Sequence, residues 1–363
     1  MRLARLAPIL VLAVLVAPAE APARVLQVVT PANQFAEGPL LAGARVAWEE
    51  NRCTSPGDCG FEAATRYRIR AAGPGGVRTL TSGRIRSLPG GSNSLFESVS
   101  FDLSPRRFVL AWSLFGTNSE QDFWEGGLLI GGAVPTSLRH VPGGGCRAER
   151  QAVQHPFALA GALLAYDQNP CDEDPRLVLR DDAAGTVRRI DLGPPSGSLS
   201  HVSVAGRWVA TVHGGQLQVH DVATGAQAFS SPLPPGTIHG FDVARDGRVA
   251  VTVGAERIGR RTCHASRLWI RDAGGTSLEL KRPQPCWDAR LTRDGVVYLR
   301  GGRRPARLEL LQPGGSMRVI SEFGSRRVRE TFDAQHMRAA FAVRCDGRLR
   351  IRVVSLGGPA RAC

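Results

Sequence analysis

Apolar and polar positions alternate with a period of two over most of this chain. The clearest stretch is residues 200–226, SHVSVAGRWVATVHGGQLQVHDVATGA. Val202 and Val204 alternate with His201 and Ser203, so one face of a pleated strand is apolar. Trp208, Val209, Thr211 and Val212 are aromatic or β-branched, which suits a half-buried sheet. Gly206, Gly214 and Gly215 fall where tight turns between antiparallel strands need positive φ. The pattern predicts strands at 200–205, 208–213 and 216–220. A polar turn follows at 221–225, in which the Asp221 carboxylate bonds backbone amides. The apolar spacing of a helix does not occur in this window.

The first hairpin recurs along the chain. It appears as LLAGARVAW (40–48), FDLSPRRFVLAW (101–112), FALAGALLAY (157–166), FDVARDGRVAVT (241–252), ARLTRDGVVYL (289–299) and FDAQHMRAAFAV (332–343), making seven copies with the opening unit. The third strand and its exit turn recur as LVLRDDAAGT (177–186), LQVHDVATGA (217–226), LWIRDAGGTS (268–277) and LELLQPGGSM (308–317). A fourth strand follows most of them, for example at 77–81, 137–141 and 187–192. Four short antiparallel strands repeated about every 40–50 residues is the signature of a β-propeller blade. A β-sandwich accounts for the strands but not for seven copies of one pattern.

The last copy ends without a fourth strand, while RVLQVVTP (24–31) precedes the first copy and has no blade of its own. The expected fold is therefore all-β, a seven-bladed β-propeller whose N-terminal strand completes the last blade and closes the ring. At this point the chain resembles the WD-repeat-like propellers, particularly the TolB-type repeats. An aromatic residue and a Ser-Pro-Asp-Gly-like turn before an apolar strand are matched in part by Phe101-Asp102-Leu103-Ser104-Pro105 and by residues 241–247, FDVARDG. The turn at 221–225 resembles the exit turn of WD-type blades. The resemblance implies binding of proteins or small ligands and no particular activity.

The N-terminus changes the picture of compartment. Arg2 and Arg5 precede an apolar run at 6–16, which is short for a membrane span. Ala17-Pro18-Ala19 and Ala21-Pro22-Ala23 are both small-x-small cleavage sites. Residues 1–23 are read as a signal peptide and 24–363 as one propeller domain. The mature protein is then secreted or in the cell envelope, does not span a membrane, and is expected to be a monomer. The formal net charge is +14. The positive residues are scattered along strands and turns, and the export signal argues against nucleic acid. Loose attraction to anionic envelope polymers, screened by salt, fits better.

Eight cysteines in an exported chain suggest four disulfides. In a four-stranded blade, the loop between strands two and three lies on the same face as the blade-to-blade loop. Cys171 and Cys263 fall in the first kind of loop, and Cys146 and Cys286 in the second. The expected pairs are Cys146–Cys171 and Cys263–Cys286, with Cys53–Cys59 pinching a first-blade loop and Cys345–Cys363 tying down the C-terminus.

Catalytic motifs are absent. There is no Gly-x-Ser-x-Gly elbow, no HExxH, no P-loop and no CxxC. No cofactor or metal is expected, and Cys171-Asp172-Glu173-Asp174 reads as a solvated acidic loop. Polar residues do stand where first strands begin: His155, His201, His239, Asp288 and Glu330. In a propeller these starts surround one mouth of the central channel, where such a set can bind a ligand or do acid–base work. Phe115, Phe123, Trp124 and Trp287 fall in or near loops and can anchor a partner at a rim. The expected function is non-catalytic binding of a protein or glycan in the cell envelope. The alternative is a lyase or hydrolase acting at the channel mouth.

Overall fold

The computed structural model describes residues 27–29, 34–53, 64–84, 87–88, 94–117, 122–142, 145–149, 156–168, 176–193, 199–255, 264–272, 274–275, 277–281, 286–300, 307–322, 332–345, 348–357 and 360–361. They form seven small sheets, antiparallel apart from one added C-terminal strand, arranged as a seven-bladed β-propeller. Blade 1 is Gln34–Ala42, Arg45–Cys53, Ala64–Gly73 and Gly76–Gly83, from the channel outwards. Blade 4 is Leu199–Ala205, Trp208–His213, Gln216–Asp221 and Gln227–Pro232, following the alternation and the glycine turns. Gly206 and Gly225 have φ of 61° and 77°, so the turns need the left-handed region that glycine enters freely.

The exit turn of blade 4 is held by one carboxylate. Asp221 Oδ1 accepts the backbone N–H groups of Ala223 and Thr224 at 2.9 Å each, and Arg207 Nε donates to Oδ2 at 2.9 Å. The Thr224 amide first, and then the Arg207 guanidinium, hold the Asp221 pKa down to about 2.

Blade 7 is closed by the N-terminus. Gln27–Val29 pairs antiparallel with Arg348–Ser355, with Val28 opposite Ile351. The inner strands of blades 7 and 1, Phe332–Gln335 and Gln34–Ala42, also lie against each other. The ring is thus joined at its centre and at its outer edge.

Two blades depart from the simple pattern. The outer strand of blade 2, expected at 137–141, is split into Arg139–His140 and Cys146–Glu149, both pairing with Asp122–Gly132. Blade 6 gains a fifth strand, Ala360–Arg361, which runs parallel to Met317–Glu322. The C-terminus therefore leaves blade 7 and lies on its neighbour.

Alternation makes both faces of each blade apolar near the centre, and the core consists of seven clusters, one at each blade-to-blade interface. At the closing seam, Leu41, Val46 and Trp48 of blade 1 pack on Ala340, Ala342 and Ile351 of blade 7. Trp48 is fully buried. Each such large side chain contributes roughly 1.5–3 kcal/mol relative to exposure.

Cys53, Cys146, Cys286 and Cys345 have their backbone in strands. Cys59, Cys171, Cys263 and Cys363 lie outside the described residues, so the four pairings remain expectations. Residues 1–23 also lie outside. Among the described residues no helix is long and apolar enough to cross a membrane.

Candidate functional site

The inner hairpins share one register. Leu40, Asp102, Ala158, Ser203, Asp242, Arg290 and Asp333 stand at the same position in blades 1 to 7, opposite Ala47, Val109, Ala165, Ala210, Ala250, Val297 and Ala340. Three are aspartates, one is a serine, and one is an arginine. Their side chains clamp neighbouring blades together.

The clamp has a repeated form. Asp102 Oδ2 accepts the N–H of Leu159 in blade 3 at 2.7 Å, and Oδ1 accepts its own following amide, Leu103, at 2.7 Å. Asp333 does the same, with Leu41 of blade 1 at 2.6 Å and Ala334 at 2.9 Å. Asp242 Oδ2 accepts the Leu291 N–H of blade 6 at 2.7 Å, and the Ser203 hydroxyl donates to Oδ1 at 3.1 Å. Ser203 Oγ in turn accepts the Val243 N–H of blade 5 at 3.2 Å. Four blade-to-blade junctions are tied in this way.

Arg290 is the cation at this level. Its Nη1 donates to Asp288 Oδ1 at 2.6 Å, and its Nε lies 3.4 Å from Asp333 Oδ1. It also acts electrostatically on Asp242 and Asp102. Four carboxylates therefore share one guanidinium. Enclosure by the ring raises the pKa of Asp102 to about 7, of Asp288 to about 7 and of Asp242 to about 6; Asp333 is raised as well. Desolvation is the largest cause in each case, opposed by Arg290 and by the amide donors. The guanidinium is driven further towards its charged form by the same carboxylates.

Of the five residues expected at the channel mouth, three are described. Asp288 is 8% exposed and belongs to the hub just described. His201 is half-buried, with Nδ1 3.0 Å from Ser200 Oγ and its ring 5.8 Å from that of Phe241. Burial pulls its pKa below the ordinary value, and no described carboxylate contacts it. His239 is half-buried in the inner strand of blade 5. His155 and Glu330 lie outside the described residues, as does the acidic stretch at 171–174. Of Phe115, Phe123, Trp124 and Trp287 the structure describes only the backbone, in strands.

Bulges interrupt the inner strands at this level. His239 is the extra residue between the pairs Ile238–Val253 and Gly240–Thr252. Trp287 and Asp288 together face Leu299. The inner strands of blades 1 and 4 shift register at the corresponding level, beside Gly38 and Ser200. An added residue re-aims a side chain and increases local twist.

The hub residues Asp102, Asp242, Asp333 and Arg290 escape a reading that looks only at strand starts. The signal for the three aspartates is the Phe-Asp pair repeated at 101–102, 241–242 and 332–333, and Arg290 has none. Chemically, each of the three carboxylates already accepts an amide N–H of the next blade. Among the described residues no group of His, Cys, Asp and Glu is placed to hold a metal ion. The hub ties the blades together, and His201 and His239 stand as half-buried polar groups of the inner strands of blades 4 and 5.

A cleft of about 300 Å³ also opens at the seam of blades 7 and 1, lined by Leu41, Arg45, Pro74, Arg338 and Val353 among others. Its two arginines are committed to structure. Arg45 donates to Ala133 O at 2.7 Å and Ser104 O at 2.9 Å, and Arg338 donates to Gly43 O.

No family model matches this chain, and no curated protein matches it. The WD and TolB-type resemblance therefore stands only on its repeat pattern. Among solved structures, the chain is similar to Hsv2 of Kluyveromyces lactis, with 13% identity, 79% of this chain and 98% of that chain covered, and a TM-score of 0.42. A likeness at that level carries no functional argument.

Proposed function

We propose that this chain is a secreted, monomeric, non-catalytic propeller that binds a protein or glycan partner in the cell envelope. The observation that supports it is the state of the hub. Asp102, Asp242 and Asp333 spend their oxygens on backbone amides of neighbouring blades. A general base needs an oxygen within reach of a substrate proton. A rigid ring with committed carboxylates suits a scaffold that presents its surface. Residues 1–23 would act as the export signal, and the four cysteine pairs would form after export. Nucleic acid is not the expected partner.

The competing reading is a lyase or hydrolase at the channel mouth, working through His155, His201 or His239. The bulge that re-aims His239 favours it. The test is a pull-down from envelope extract with the mature protein, followed by mass spectrometry of bound proteins and glycans. A partner retained by the wild type and by His201→Ala supports the binding reading. Failure to retain any partner at low salt contradicts it.

A further inference from the structure

We propose that the face of blade 1 bearing Arg52, Arg66, Arg68 and Arg70 binds an acidic polysaccharide. The inference rests on the binding reading and names the class of partner.

The face follows from register. Arg52 stands opposite Arg66, Glu50 opposite Arg68, and Trp48 opposite Arg70, on the second and third strands of blade 1. Residues directly opposite in a sheet project from the same side. On the outer strand, Ser82 stands opposite Arg68 and Thr79 opposite Arg70. Arg52, Arg66, Arg68, Ser82 and Thr79 are all exposed. Alternate residues on a strand are about 7 Å apart, so Arg66, Arg68 and Arg70 form a straight line of positive charge.

Among the described residues, only Arg70 of this line is neutralised within the chain. Glu50 is the acid of this face, and its Oε1 already accepts Trp48 Nε1 at 2.9 Å and Arg70 Nη1 at 3.3 Å. Arg52, Arg66 and Arg68 have no carboxylate partner among the described residues. Several strand arginines of other blades do meet carboxylates. Arg307 meets Glu322 at 2.7 Å, Arg267 meets Glu279 at 3.4 Å, and Asp182 takes Arg139 at 2.8 Å and Arg180 at 2.6 Å. Like charges directly opposite in a sheet, as Arg52 and Arg66 are, disfavour the fold. A bound polyanion removes that repulsion.

The surroundings choose among polyanions. Trp48 is fully buried, and no described aromatic ring is among the exposed large hydrophobic side chains. Single-stranded nucleic acid binds largely by stacking bases on exposed aromatics. Arginine forks and hydroxyls without such a platform suit the carboxylates and hydroxyls of an acidic sugar chain.

The experiment titrates the mature protein with fluorescein-labelled polygalacturonate oligomer at about 50 and 200 mM salt, the range over which phosphate-type contacts weaken steeply. The patch variant carries Arg52→Gln, Arg66→Gln and Arg68→Gln. A charge-matched control carries Arg106→Gln, Arg245→Gln and Arg293→Gln, exposed turn residues of blades 2, 5 and 6. The patch variant should lose affinity by about tenfold or more and show a flatter salt dependence, while the control stays within about threefold. Its melting temperature should hold or rise, because a repulsive pair has gone. Equal losses in patch and control variants overturn the site in favour of bulk charge. Tighter binding of a single-stranded DNA oligonucleotide, lost in the same patch variant, overturns the polysaccharide. A pulled-down envelope partner that the patch variant still retains leaves the binding reading standing and removes this site from it.

Discussion

The backbone N–H of Leu41 donates to the Asp333 carboxylate at 2.6 Å, across 292 residues of sequence. This bond joins the first blade to the last at the level of the hub. Asp333→Ala leaves that amide and the Ala334 amide without their acceptor. We expect a loss of about 1–3 kcal/mol in unfolding free energy, the cost of leaving a buried donor without its acceptor, measured by denaturant titration. Asp333→Asn, which keeps an acceptor oxygen, should lose less. Wild-type stability in the alanine variant would show that the bond does not hold the ring.

The outer half of the closure is the N-terminal strand. Deleting residues 24–30 from the mature protein removes the pairing of Gln27–Val29 with Arg348–Ser355. The bared edge should lower the melting temperature and promote association through unpaired amides. Light scattering and calorimetry check this. A truncated protein that stays monomeric with an unchanged melting temperature contradicts closure by this strand.

Gly240 sits at a tight approach of blades 5 and 6. A Cβ there would lie 2.6 Å from Ala289 N, and 2.8 Å from Asp288 Oδ1 and Thr252 Oγ1. The backbone nitrogen cannot yield without separating the inner strands. Gly240→Ala should therefore cost about 1–3 kcal/mol, read as a lower melting temperature. An alanine variant that melts with the wild type would mean that the blades can part without penalty.

The strands were legible because period-two alternation and turn glycines act locally. Blade 4 shows this, with Val202, Val204 and Val209 in phase and Gly206 between them. Ring closure was legible from a pattern of surplus and deficit at the two ends. The bulges at His239 and at 287–288 were not, because a single extra residue leaves the local alternation of the strand readable on either side of it. The hub was half legible. Phe-Asp recurs in the sequence, but the partners of Asp102, Asp242 and Asp333 lie 57, 49 and 292 residues away. The opposition of Arg52 and Arg66 depends on register beside a bulge at residue 65, which spacing alone does not fix.

The central claim is that buried channel carboxylates clamp the ring and that burial there raises their pKa values towards neutrality. Asp102 tests it most directly, because amides and not an arginine contact its oxygens. Its pKa is about 7 in the folded ring against the ordinary carboxyl value of 3.8. Between about pH 4 and 7 the folded state binds a proton that the unfolded chain lacks, so this stabilisation is lost as pH rises. His201 and His220 act oppositely, since burial lowers both pKa values and stability then falls with acid below about pH 6.5. Comparing wild type with Asp102→Asn cancels the histidines. The measurement is the unfolding free energy of both proteins at intervals from pH 5 to 8. The account predicts that the asparagine variant gains on the wild type as pH rises, by about 1.4 kcal/mol per unit until Asp102 has ionised. A difference that stays constant across this range would contradict it.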